Sequence, residues 1–82
     1  MYKCEVETEL KINHKWVKSK CPSFDNEMSA KEELNHLYNK YLEEWKDNKI
    51  LYDNNGIFCF IIDRENGNEF KARLKNKGVK YE

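Results

Sequence analysis

The sequence is poor in most of the features that announce a function. It has one proline and only three glycines. Gly56, Gly67 and Gly78 stand alone, so there is no glycine-rich loop to cradle a phosphate. Three cysteines, Cys4, Cys21 and Cys59, are too few, odd in number and widely spaced for a disulfide framework. No CxxC pair is present, which removes a zinc ribbon or a dithiol redox motif. Three free thiols are expected in a reducing, cytoplasmic setting, with Cys4 and Cys59 acting as small buried hydrophobes. No run approaches the roughly 20 apolar residues needed to cross a bilayer, so no membrane partner is expected. The opening Met1-Tyr2-Lys3-Cys4-Glu5 also lacks the apolar stretch of a secretory leader. Nor is there charge of one sign. Fifteen basic and fifteen acidic side chains cancel, leaving no large field to attract nucleic acid or a membrane surface.

What the chain does contain is enough for one domain. Eighty-two residues lie well below the length at which chains divide. The mean hydropathy of -1.02 is low, but eleven aromatic residues and zero net charge oppose disorder. Thirteen lysines stand against two arginines, with ten asparagines and five each of tyrosine and isoleucine. AT-rich codons specify these residues, so the composition points to a low-GC bacterium, its phages or its mobile elements.

Periodicity supplies the architecture. From Tyr2 to Ile12, Tyr2, Cys4, Val6, Thr8, Leu10 and Ile12 alternate with Lys3, Glu5, Glu7, Glu9 and Lys11, the period of a half-buried strand. A turn at Asn13-His14 and a short second strand around 15–20 follow. Residues 20–28 read as a loop, because Pro22 keeps Cys21 out of helical space. Ser29 and Glu32 fit a capping box, with Asp25 as a competing cap. Leu34, Leu37, Tyr38, Tyr41, Leu42 and Trp45 then form one helical stripe, ended by Asp47-Asn48 with Asn48 suited to a left-handed cap. Ile50-Leu51-Tyr52, the turn Asp53-Asn54-Asn55-Gly56, the apolar run 57–62, the turn at Glu65-Asn66-Gly67 and an alternating strand through Phe70, Ala72 and Leu74 complete a β meander. Residues 78–82 are expected to be a frayed tail. The fold class is therefore α+β: a two-layer domain with one amphipathic helix on a mainly antiparallel sheet of four to five strands, order β(β)αβββ.

The run 57–62 points outward. Ile57, Cys59 and Ile61 occupy one face and Phe58, Phe60 and Ile62 the other, yet only one helix exists to cover them. Either the 16–24 segment folds over the second face, with Trp16, Val17 and Phe24 as a lid, or that face meets another protein or a second copy of the chain. Glu5, Glu7 and Glu9 form an acidic stripe, and Lys71, Arg73, Lys75 and Lys77 a basic one. Neighbouring strands would turn the stripes into cross-strand ion pairs; separated strands would leave the basic stripe for phosphate or an acidic protein.

Catalytic chemistry finds little support. His14 and His36 are distant in sequence and both fit surface positions, and nothing in the spacing predicts a Cys–His pair. His14 with Cys21 would leave a closed zinc site two ligands short. Asp53, Asp63 and Glu65 bracket the apolar run and could in principle gather a metal, but acidic residues are ordinary at turns. Residues 55–62 echo an RNA-recognition strand only loosely, with Ile57 and Cys59 where stacking aromatics belong. No catalytic residue, cofactor or metal is expected. The expectation is a non-enzymatic interaction protein, in concrete form a phage or mobile-element inhibitor that blocks a host defence enzyme sterically, like an anti-CRISPR protein. Trp16, Phe24, Phe58 and Phe60 are its candidate anchors, with Glu5, Glu7, Glu9, Lys71 and Arg73 steering approach. The alternative is a nucleic-acid-binding domain using the basic last strand.

Overall fold

The computed structural model describes residues 4–17 and 21–76. Strand β1 (Cys4–Ile12) turns through Asn13 and His14 into β2 (Lys15–Val17). Both turn residues have positive φ, 51° and 68°, the geometry that lets a two-residue hairpin follow the twist of its strands. The expected hairpin is therefore present; residues 18–20 of its second arm lie outside the described residues. A two-residue strand, β3 (Ser23–Phe24), precedes helix α1 (Glu27–Trp45). Strands β4 (Ile50–Asn54), β5 (Phe58–Asp63) and β6 (Asn68–Asn76) follow. The sheet runs β2-β1-β6-β5-β4 with β3 beside β1, and every pairing is antiparallel. The result is the expected α+β domain, with β3 as an additional short strand.

Parity along the strands sets the core. Cys4 and Val6 of β1, Cys59 and Ile61 of β5, and Phe70 and Ala72 of β6 are buried on one face of the sheet, against Ala30, Leu34, Tyr38 and Trp45 of α1. The helical stripe lands on the sheet as its spacing predicts. Tyr41 stacks on Phe70 at 4.8 Å and meets Trp45 at 5.2 Å, which ties the C-terminal half of the helix to the centre of the sheet.

Four local expectations are corrected. The helix begins earlier than a Ser29 cap would allow: Asn26 is extended and its Oδ1 accepts the Ser29 amide at 2.8 Å. Phe24 pairs with Cys4, and this fixes the chain so that Asn26, not Asp25 or Ser29, reaches the helix end. Asn48 does not take a left-handed conformation, since Asn13 and His14 are the non-glycine residues of positive φ among those described. Its amide instead bonds the Trp45 carbonyl at 2.9 Å, and its side chain is drawn to Asp63. Ile57 does not share the buried face of Cys59 and Ile61. It lies in the turn before β5, 56% exposed, because its amide bonds Asn55 Oδ1 and its carbonyl accepts from Leu74. Finally, Trp16, Val17 and Phe24 do not form a lid over the second face of β5. Phe24 is half-buried and packs toward the core, while Trp16 pairs with Lys11 on β2 and is 61% exposed.

Candidate functional site

The face of the sheet opposite α1 carries nearly all of the residues singled out above. Strand registers order it in rows. Asp53, Phe60, Lys71 and Glu9 lie side by side across β4, β5, β6 and β1. One row toward the hairpin end come Leu51, Ile62, Glu69 and Lys11. In the opposite direction, Phe58 neighbours Arg73 and then Glu7. The face therefore has two halves: an apolar one on β4 and β5, and a charged one on β6 and β1.

The apolar half is open. Leu51 is 51% and Phe58 40% exposed, and Phe60 and Ile62 are half-buried. The Phe58 and Phe60 rings lie 6.1 Å apart in a tilted arrangement, so they form one continuous surface. A strand apolar on both faces with a helix on one of them leaves such a stripe uncovered.

The charged half is largely self-paired. Because β1 and β6 are neighbours, the acidic and basic stripes meet across the strands. Arg73 Nε donates to Glu7 Oε1 at 2.6 Å, and Lys75 Nζ reaches Glu7 Oε2 at 3.5 Å. The Arg73 hydrogen bond, ahead of the charges of Arg73 and Lys75, holds the Glu7 carboxyl below the usual range. Lys11 and Lys71 share Glu69 at 3.4 and 3.8 Å, and the Lys11 ammonium also sits 4.6 Å from the Trp16 ring centroid. Among the described residues, Glu9 and Asp53 make no ion pair. A shallow depression of about 180 Å³ runs between Phe58, Lys71, Arg73, Glu7 and Glu9.

Of the expected anchors, Phe58 and Phe60 lie together, Trp16 lies on the same side at the far edge, and Phe24 faces the core. Glu5, Glu7, Glu9, Lys71 and Arg73 all lie on this face. Lys77 falls outside the described residues. Leu51 and Ile62 were not singled out as anchors, although the alternation of 57–62 already placed Ile62 beside Phe60.

The acidic trio is not brought together. Asp53 is exposed on the open face, whereas Asp63 is 1% exposed under the opposite one. Asp63 Oδ2 accepts the side-chain amides of Asn48 at 2.8 Å, Asn68 at 2.9 Å and Asn66 at 3.4 Å. Its Oδ1 accepts the backbone amides of Glu65 and Asn66 at 2.9 and 3.2 Å. Burial pushes this carboxyl up, but the donors together outweigh burial and hold it below the ordinary carboxylate range. Five donors leave little lone-pair capacity for a cation, so Asp63 ties loops together. Among the described residues no three His, Cys, Asp or Glu side chains gather to hold a metal. His14 lies over Gly67 at the hairpin tip, and Cys59 is buried in the core, its thiol pushed up to about 11 by burial.

Together the fold and this face define a two-layer α+β domain with one sheet surface that the described residues leave uncovered. Comparison with protein-family models, with curated proteins and with solved structures finds no match. No helix among the described residues is long and apolar enough to cross a membrane.

Proposed function

We propose that this protein is a non-enzymatic interaction module that lays the outer face of its sheet against another protein. The observation that carries this is the stripe of Leu51, Phe58, Phe60 and Ile62, uncovered by the described residues, with Trp16 at the sheet edge and Phe24 turned to the core. A contiguous apolar patch rimmed by charge is the usual form of a protein-binding surface. Phe58 and Phe60 are its anchors, and Lys71, Arg73 and the glutamates of β1 form the polar rim that orients approach. The mechanism is steric: the face occupies a surface that its target needs. In its most concrete form the target is a host defence enzyme and the protein a phage or mobile-element inhibitor, a reading supported by its AT-rich residue usage.

Charge balance favours protein over nucleic acid. Among the described residues of this face, Lys11, Lys71, Arg73 and Lys75 stand among Glu5, Glu7, Glu9, Glu69 and Asp53. Four cations among five carboxylates present no net attraction to phosphate.

The test is the pair Phe58→Ser and Phe60→Ser. The native chain, immobilised, should retain a specific protein from a low-GC bacterial extract, and the double variant should release it while keeping its fold by circular dichroism. If the variant keeps every complex and merely melts much earlier, the two rings are core residues and the proposal fails. Binding to RNA or DNA that weakens steeply with salt would instead establish the nucleic-acid alternative.

A further inference from the structure

From the edge of the sheet rather than its open face, we infer that β4 pairs with β4 of a second copy, antiparallel about a two-fold axis normal to the sheet, with Leu51 at the axis. The backbone carries the first step. The Lys49 carbonyl accepts the Arg64 amide at 2.9 Å, and the Asn55 amide donates to the Phe58 carbonyl at 3.1 Å. Antiparallel bonding alternates, so residues 49, 51, 53 and 55 turn their backbone groups to β5. Ile50, Tyr52 and Asn54 turn theirs outward, where among the described residues no strand meets them. Such an edge is ordinarily guarded by a lysine, a proline or a bulge. Ile50–Asn54 contains neither residue and pairs one to one with β5 throughout. Helix α1 packs chiefly on β1, β5 and β6, which leaves this edge clear for a further strand.

The side chains then choose the register. Outward groups recur at every second residue, so two antiparallel copies can slide only in steps that keep outward groups facing each other. With Leu51 at the axis, Ile50 exchanges hydrogen bonds with the partner's Tyr52, Leu51 meets Leu51, and Lys49 lies opposite the partner's Asp53. With Tyr52 at the axis the ladder gains a pair at its exposed ends, but each Leu51 meets an Asp53 carboxylate and each Ile50 an Asn54. With Asp53 there, two carboxylates oppose each other. With Ile50 there, Leu51 meets Lys49 and Asp53 meets Asp47. Only the Leu51 register matches apolar with apolar and charge with charge from Lys49 to Asp53. Neither Lys49 nor Asp53 makes an ion pair among the described residues, so the new pairs displace none. A two-fold axis along the strands fails, because it sets like residues side by side whereas a parallel ladder needs them offset by one. The helix side fits the same register. Between α1 and β4 lies a groove of about 450 Å³ lined by Asn39, Leu42, Glu43, Lys46, Ile50 and Tyr52. Tyr52 is 55% exposed, and the partner's Tyr52, opposite Ile50, brings its ring against this groove. The paired strands are short, so the dimer is a reversible one. Both helices lie on one side of the joined sheet, and on the other the two open faces meet at Leu51.

The test uses the whole chain, with molar mass read by sedimentation equilibrium. Native protein should change from monomer to dimer as concentration rises from about 10 μM to about 1 mM, where weak association shows. Tyr52→Pro removes an amide that β5 does not use, a place where an edge strand tolerates proline; it should stay monomeric with native circular dichroism. Asp53→Lys and Lys49→Asp should each stay monomeric too, since each sets like charges opposite one another across the axis. An equimolar mixture of these two should form heterodimers, because each then offers the charge that the other needs. Native protein that stays monomeric throughout overturns the inference, as does a dimer that Tyr52→Pro and both charge variants leave unaltered. A dimer lost in Tyr52→Pro but unchanged in both charge variants overturns the register. Phe58 and Phe60 belong to β5, behind this edge, so Phe58→Ser with Phe60→Ser should abolish capture of a target and leave the dimer intact; the inference and the interaction proposal therefore fail separately.

Discussion

At the scale of single residues, Asp63 joins the end of β5, the turn at 64–67 and the segment after α1 through its five donors. Its folded-state carboxyl titrates below the unfolded one. The stabilisation is therefore complete above the ordinary carboxylate pKa of about 3.9 and is lost as pH falls through the lower folded value. Asp63→Ala should cost about 2–4 kcal/mol at neutral pH, since it strands buried donors. Urea titrations at a series of pH values should show the difference from native protein shrinking as the solution is acidified below about pH 4. None of this was legible from the sequence, where an aspartate near a turn looks ordinary and only the asparagine-rich surroundings hint at a network. Gly67 is similar. Its φ of 71° and the His14 ring above it disfavour a side chain, and Gly67→Ala should lower stability by about 1–2 kcal/mol. The thiols, by contrast, divide as their setting in the sequence suggested. Cys4 and Cys59 are buried and their thiols pushed up, chiefly by burial, while Cys21 is exposed. A thiol-specific reagent at pH 8 should label Cys21 quickly and the other two only on unfolding.

At the scale of elements, the periodic segments were legible and their ends were not. The stripe from Leu34 to Trp45 and the alternation of Cys4–Ile12 and Phe70–Leu74 follow from burying one face of a helix or strand. The helix start depended on a long-range event, the pairing of Phe24 with Cys4, which no local pattern announces. Asp25, Asn26 and Ser29 all have capping side chains, and tertiary placement chose among them. Asn26→Ala should therefore lower stability by about 1 kcal/mol, and Ser29→Ala distinctly less, in thermal melts that compare the two variants. Ile57 was misplaced for a related reason. Its apolar side chain fits the run that follows, but the hydrogen bonds of Asn55 set the start of β5 one residue later.

At the scale of the whole molecule, the double-sided apolar character of 58–62 was visible in the sequence, but what lies over its second side was not. That depends on where the chain carries residues 16–24, and hairpin geometry sends Trp16 to the edge of the sheet while the Cys4 pairing turns Phe24 toward the helix. The two faces should respond differently to truncation. Phe70→Ala empties a site 2% exposed and should cost about 3–5 kcal/mol, whereas Phe58→Ala should cost about 1 kcal/mol or less. Denaturant unfolding of the two variants checks the contrast. The pairing of β1 with β6 has a further consequence, in time rather than in space. Glu7 and Arg73, opposite each other in the middle of the sheet, are separated by most of the chain, so this ladder closes its largest loop. Such non-local pairings slow folding toward the millisecond-to-second range. During synthesis β1 must wait beside its local hairpin partner until β6 has left the ribosome, and for that interval its ladder edge and the apolar side of β5 are exposed together, the period in which the nascent chain most needs protection from its neighbours.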